Sequence, residues 1–303
     1  MVSKALSLKN IPKLMGKTAK VWFNDEPFRL SAIIAYYAIL SLPALIIIIM
    51  NVVGGIWGKE IVQGELLGEI SEAIGTEAAE SIRMMIVDQG DKSTSLFATI
   101  VGIGTLLYGA TGVFFQLQES FDKIWKTKPK YTNGIIATIM SRLKSIGFIL
   151  ILGFLLLVSF VLTSLLSTFS NRLELFLPEK LLKYVFIFDI LISLGFIYVL
   201  FGAMFKFLPS KPISWKAVRV GAAITAILFI IGKYLLAIYF STMQPGSTYG
   251  AAGSIILVML WVSYSSLILF YGAHFTKVYA DEYGLSIDNN DDEALDEALE
   301  EIN

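Results

Sequence analysis

The feature that most constrains this chain is a series of apolar stretches too long and too free of charge for the core of a water-soluble domain. Residues 30–58, 93–118 and 145–171 contain no Asp, Glu, Lys or Arg. Residues 184–205 carry only Asp189, residues 220–242 only Lys233, and residues 249–276 only His274. A hydrocarbon layer about 30 Å thick is crossed by roughly 20 apolar helical residues, so each stretch is long enough to span it. The sequence therefore predicts an all-α integral membrane protein with six spans, at about 30–57, 93–118, 145–171, 184–205, 220–242 and 249–276.

Charge placement orients these spans. Seventeen Lys and Arg fall in the N-terminal lead, the second-to-third and fourth-to-fifth connections and at Lys277, against six on the other side. Basic residues accumulate on the cytoplasmic side, so both termini are expected there. The chain divides into a basic cytoplasmic lead (1–29), a membrane domain (30–276) and a cytoplasmic tail (277–303). The tail has ten acids and no base after Lys277, and such a segment repels nucleic-acid phosphates. The lead has no uninterrupted apolar core before Lys20 and does not read as a signal peptide. The external connection 59–92 repeats apolar residues at helical spacing and is broken at Gly75–Thr76, which predicts two short amphipathic helices.

Chemistry-bearing residues are few. With 0 cysteines and one histidine in 303 residues, thiolate chemistry and any multi-histidine metal site are excluded. No catalytic residue, metal site or cofactor is expected; the expected partners are membrane lipids and envelope proteins, and nucleic acid is not one. Asp189 and Lys233, the charges inside spans, are candidates for a substrate path or an interior ion pair, with snorkelling to interfacial water as the bland alternative. Glu119, Arg142, Arg219 and His274 sit at cytoplasmic ends of spans, as an ion-pair network or the floor of an anion site. Gly102, Gly109 and Gly112 recur along one seam of the second span, and Gly250 and Gly253 open the sixth. Small residues of this kind let helices approach closely in lipid. Pro43, inside the first span, removes a backbone hydrogen bond and predicts a kink.

Five ordered stretches resemble the YihY/BrkB family of bacterial inner-membrane proteins: "RLSAIIAYYAILSLPALIIII", "LLYGATGVFFQLQESFDKIW", "SRLKSIGFILILGFLLL", "VGAAITAILFIIGKYLLAIYF" and "YGAAGSIILVMLWVSYSSLILFYGAHFT". The resemblance covers roughly residues 27–280 and implies six spans with both termini cytoplasmic. It implies no established activity, since members have carried a misassigned ribonuclease BN name and others are called virulence or serum-resistance factors. The family pattern at the end of the last span is Gly-Ala-Glu; here it is Gly272, Ala273 and His274. Three functions follow as expectations: a transporter or translocase of an amphipathic, lipid-like envelope molecule, a non-transporting scaffold or assembly factor, and, least supported, a nuclease.

Overall fold

The computed structural model describes residues 10–74, 76, 79–80, 83, 96–127, 179–211, 213–245 and 253–285. Among these, seven helices and no strand occur: α1 (Ile11–Asn24), α2 (Pro27–Trp57), α3 (Lys59–Ile74), α4 (Leu96–Trp125), α5 (Glu179–Phe207), α6 (Trp215–Met243) and α7 (Gly253–Glu282). The expected third span, 145–171, lies outside the described residues. α6 and residues 255–282 of α7 are long and apolar enough to cross a membrane. α2, with 31 residues, is about 45 Å long at the helical rise, and it continues as helix through Pro43.

The helices outrun the apolar stretches. α4 continues past Gln118 to Trp125 and α7 past Thr276 to Glu282, because helical hydrogen bonding does not stop where lipid ends. Their ends are set by left-handed residues. Lys126 has φ 52° and Gly284 φ 65°, and the amides of Thr127 and Leu285 reach back five residues to the carbonyls of Asp122 and Ala280 at 2.9 and 2.8 Å. These are Schellman closures, which satisfy carbonyls a helix end would otherwise orphan.

α7 is the central post. It packs most extensively against α2 and α6, and it also meets α1, α3 and α4. α4 lies along α2, and α5 along α6; Phe121 of α4 and Phe205 of α5, with ring centroids 5.9 Å apart, join the outer pair. The largest fully buried side chains include Phe121, Phe205, Leu208, Ile213, Phe270 and Phe275. They gather where α4, α5 and α7 end and α6 begins. At the opposite end of α6, Tyr234, Leu235, Ile238 and Met243 are exposed. The larger buried cluster sits at the packed end, and toward the other end of α6 a smaller one joins Leu236 and Phe240 to Leu257 and Val258 of α7 among the described residues.

Because apolar burial supplies little drive between helices in lipid, close backbone approach must supply contact. Gly109 lies against Ser41, whose Cβ would be 3.0 Å from a side chain at that position, and Gly112 lies against the Tyr37 ring. The α6–α7 seam is tighter. Gly221 faces Thr276 and Gly272 faces Thr225, so that each glycine of one helix receives a threonine of the other. Each threonine hydroxyl donates to a carbonyl four residues back: Thr225 to Gly221 and Thr276 to Gly272, both at 2.7 Å. The two Gly-x-x-x-Thr segments thus form a reciprocal lock between antiparallel helices. By contrast, nothing lies within 4 Å of a Cβ added at Gly104 or Gly195. Gly104→Ala is expected to stabilise the chain by up to about 1 kcal/mol through helix propensity, measured as a raised midpoint of thermal unfolding in detergent.

Candidate functional site

The packed end of the bundle holds most of the described polar side-chain contacts between elements. Asp25 caps the C-terminal end of α1, and Glu26, at φ 54°, turns the chain into α2. That turn brings the Asp25 carboxylate to His274 of α7, with Oδ2 2.8 Å from Nε2. The other ring nitrogen, Nδ1, lies 2.7 Å from the carbonyl oxygen of Phe270. A carbonyl only accepts, so Nδ1 is the donor of that bond, and Nε2 is left to face the carboxylate. Side-chain exposure is 2% for His274 and 33% for Asp25, so the imidazole sits inside while its partner meets the boundary.

A second carboxylate braces the same end. Asp122, 7% exposed, accepts from the Ser210 amide at 2.8 Å, the Ser210 hydroxyl at 2.6 Å and the Thr127 hydroxyl at 2.8 Å. It ties the end of α4 to the turn between α5 and α6. Two lysines finish the joint as donors: Lys277 Nζ to the Ile124 carbonyl at 2.6 Å, and Lys206 Nζ to the Ile213 carbonyl, with its charge over the Trp215 ring. Ile124 lies in the last turn of α4, where a cation is favourable both as a hydrogen-bond donor to an orphaned carbonyl and against the helix dipole; Lys206, in the last turn of α5, instead ties that helix to the loop before α6.

This arrangement fixes helices to one another. His274 uses both nitrogens on Asp25 and a backbone carbonyl, so neither faces a nucleophile. Among the described residues there is no group of three or more His, Cys, Asp or Glu that fits a metal ion. Away from this end, Arg83 hydrogen-bonds Glu80 at 2.6 and 2.8 Å and holds its carboxyl below the usual range.

The family described as Virulence factor BrkB matches residues 18–296. The chain belongs to the BrkB family. Among its relatives, a UPF0761 membrane protein of Haemophilus influenzae strain 86-028NP is 26% identical over 289 residues, covering 93% of this chain and 99% of the relative. One of Psychromonas ingrahamii is 24% identical over 258 residues, covering 85% and 84%. One of Mannheimia succiniciproducens is 26% identical over 250 residues, covering 82% and 83%. No solved structure matches. The relatives are named as membrane proteins and their names carry no enzymatic activity. With its apolar helices, this BrkB-family chain is a protein of the bacterial inner membrane.

Of the residues singled out from sequence, His274 is at the packed end, and its charged partner is Asp25, which the sequence reading left out. Glu119 and Arg219 are both exposed, on α4 and α6, and neither bonds the His274 ring. Arg142 and Gly250, and the side chains of Asp189 and Pro43, lie outside the described residues, as do the surroundings of Gly102. Lys233 is half-buried within α6, and Gly253 is buried at the start of α7. Asp122, Ser210, Thr225 and Thr276 also escaped the sequence reading. For the threonines a signal existed: Gly-x-x-x-Thr occurs once in α6 and once in α7 at the register that makes the lock.

Replacing His274 by a carboxylate gives a testable swap. His274→Glu would set two carboxylates at hydrogen-bond distance, and such a pair keeps one proton because both cannot ionise together cheaply. A proton shared between two carboxylates contributes stability at low pH that is lost as pH rises. Thermal midpoints of this variant in detergent should fall between pH 5 and pH 8 by more than those of the native chain, and Asp25→Asn should remove the difference. An unchanged pH profile would sink the shared-proton account.

Proposed function

We propose that this chain is a six-span inner-membrane protein, both termini cytoplasmic, that moves an amphipathic or lipid-like envelope molecule along a polar path through its outer half. The observation that carries this reading is Lys233: a half-buried cation inside an apolar helix long enough to cross the membrane. It stands ten residues before Met243, roughly 15 Å of helix from that end, and charge at such depth is expensive unless it serves a wet or polar interior. The level of Lys233 is polar on the neighbouring helix too. Tyr264 packs against Gly232, with its hydroxyl 3.1 Å from where a Cβ would stand, and Ser263, Ser265 and Ser266 flank it. Asp189, on α5, is the candidate counter-charge. The tightly packed end supplies a fixed base, and the smaller buried cluster of Leu236, Phe240, Leu257 and Val258 at the other end is less to separate when helices part.

Purified chain in proteoliposomes is expected to accelerate transbilayer movement of a fluorescent lipid or lipid-linked sugar over empty vesicles, and Lys233→Met is expected to reduce the rate at least tenfold at equal reconstitution. No movement across a panel of envelope lipids, together with crosslinking that repeatedly captures one envelope complex, would replace transport by a scaffold role.

A further inference from the structure

We infer that α1 is an interfacial helix that binds anionic phospholipid headgroups of the leaflet beside it. Three faces of this helix carry the argument. Leu14 and Thr18 are buried; Trp22 packs its ring 5.8 Å from that of Tyr271, whose hydroxyl donates to the Met15 carbonyl at 2.9 Å. This face seals α1 onto α7. A second strip, one helical turn apart, holds Ala19 and Phe23, and Phe23 is 60% exposed. It continues across the turn to Phe28, 59% exposed with its ring 6.3 Å from that of Phe23, and then to the exposed Ala32 and Tyr36 of α2. The third edge is basic, with Lys13, Lys17 and Lys20 all exposed.

Two adjacent exposed phenylalanines continuous with the outward face of a membrane-length helix belong in lipid, and a lysine edge beside them belongs at the headgroups. Charge accounting at this corner favours an anion. Asp25 is paired with His274, Glu26 with Arg29 and Glu282 with Lys17, all within 3.4 Å, while Asp281 is coupled to Lys277 on its own helix. Among the described residues, Lys13 and Lys20 supply the excess positive charge. The Asp25–His274 bond and the Glu26 turn hold α1 at the angle that presents both edges together.

The chain has 0 cysteines, so single reporters can be placed in the full-length protein. In proteoliposomes of phosphatidylcholine with phosphatidylglycerol, a nitroxide at Ala19→Cys should collide with oxygen more than with an aqueous nickel chelate, and one at Lys13→Cys should show the reverse. A donor dye at Gly16→Cys, a position with open space around it, should transfer energy to headgroup-labelled phosphatidylglycerol more than to labelled phosphatidylcholine. The local enrichment is expected to be severalfold, on the scale of about fivefold per lysine. Lys13→Gln with Lys20→Gln should bring it close to unity without altering the melting of the protein. Equal water access at positions 19 and 13 would overturn the inference. So would shielding of position 19 from both quenchers, which would mean a protein covers the strip. An enrichment unchanged in the double lysine variant would overturn it as well.

Discussion

Gly221→Leu is expected to prevent recovery of folded protein. The reason is geometric: even a Cβ at this position would stand 2.7 Å from the Thr276 Cβ and closer still to its hydroxyl. Alanine alone forces α6 and α7 apart, and overpacking of this kind costs about 2 kcal/mol. The sign makes the test sharp, because helix propensity by itself would have Gly→Ala gain roughly 1 kcal/mol. Gly221→Ala should therefore lower the thermal midpoint in detergent, in contrast to Gly104→Ala. Pairing Gly221→Ala with Thr276→Gly should restore most of the loss, whereas pairing it with Thr225→Gly should not, since Thr225 fills the opposite notch. Equal behaviour of the two double variants would show that the lock is not the source of the effect.

Asp122→Ala is expected to cost about 3 kcal/mol. Removing this buried carboxylate takes the acceptor from the Ser210 amide, the Ser210 hydroxyl and the Thr127 hydroxyl together, and a buried donor left unpaired loses more than a mean hydrogen bond is worth. Asp122→Asn keeps one acceptor oxygen and should cost less. The measurement is the midpoint of unfolding, with limited proteolysis near residue 210 as a local readout of the freed turn. A native midpoint in Asp122→Ala would show that the joint between α4 and the α5–α6 turn is held by packing of Phe121, Phe205 and Leu208 alone. Because the proposed path lies in the other half of the bundle, loosening this base tests whether movement there needs a fixed end here.

Composition alone is decisive for the class of molecule. Charge-free length identifies a membrane protein because lipid tolerates neither unpaired backbone nor unpaired charge, and the ordered motifs identify the family. Gly109 and Gly112 of α4, which meet Ser41 and Tyr37, were also conspicuous, since glycine spacing along a helix is periodic. His274 was conspicuous as the single histidine, but its partner was not: Asp25 lies 249 positions away, in a turn whose acids look like ordinary surface residues. Asp122 was hidden for the same reason, sitting in the polar run after an apolar stretch, where a carboxylate facing solvent and one facing a buried serine read alike.

What the sequence by itself determined is the class of molecule, the family, and which segments are apolar enough for lipid, because those properties are sums over residues close together in the chain. Only the tertiary structure decided which glycine meets which threonine, that Asp25 meets His274, that Asp122 braces a distant turn, and which strip of α1 is left uncovered. Each of these depends on the register and crossing of helices, and contacts between distant segments leave no local periodicity from which that register can be read.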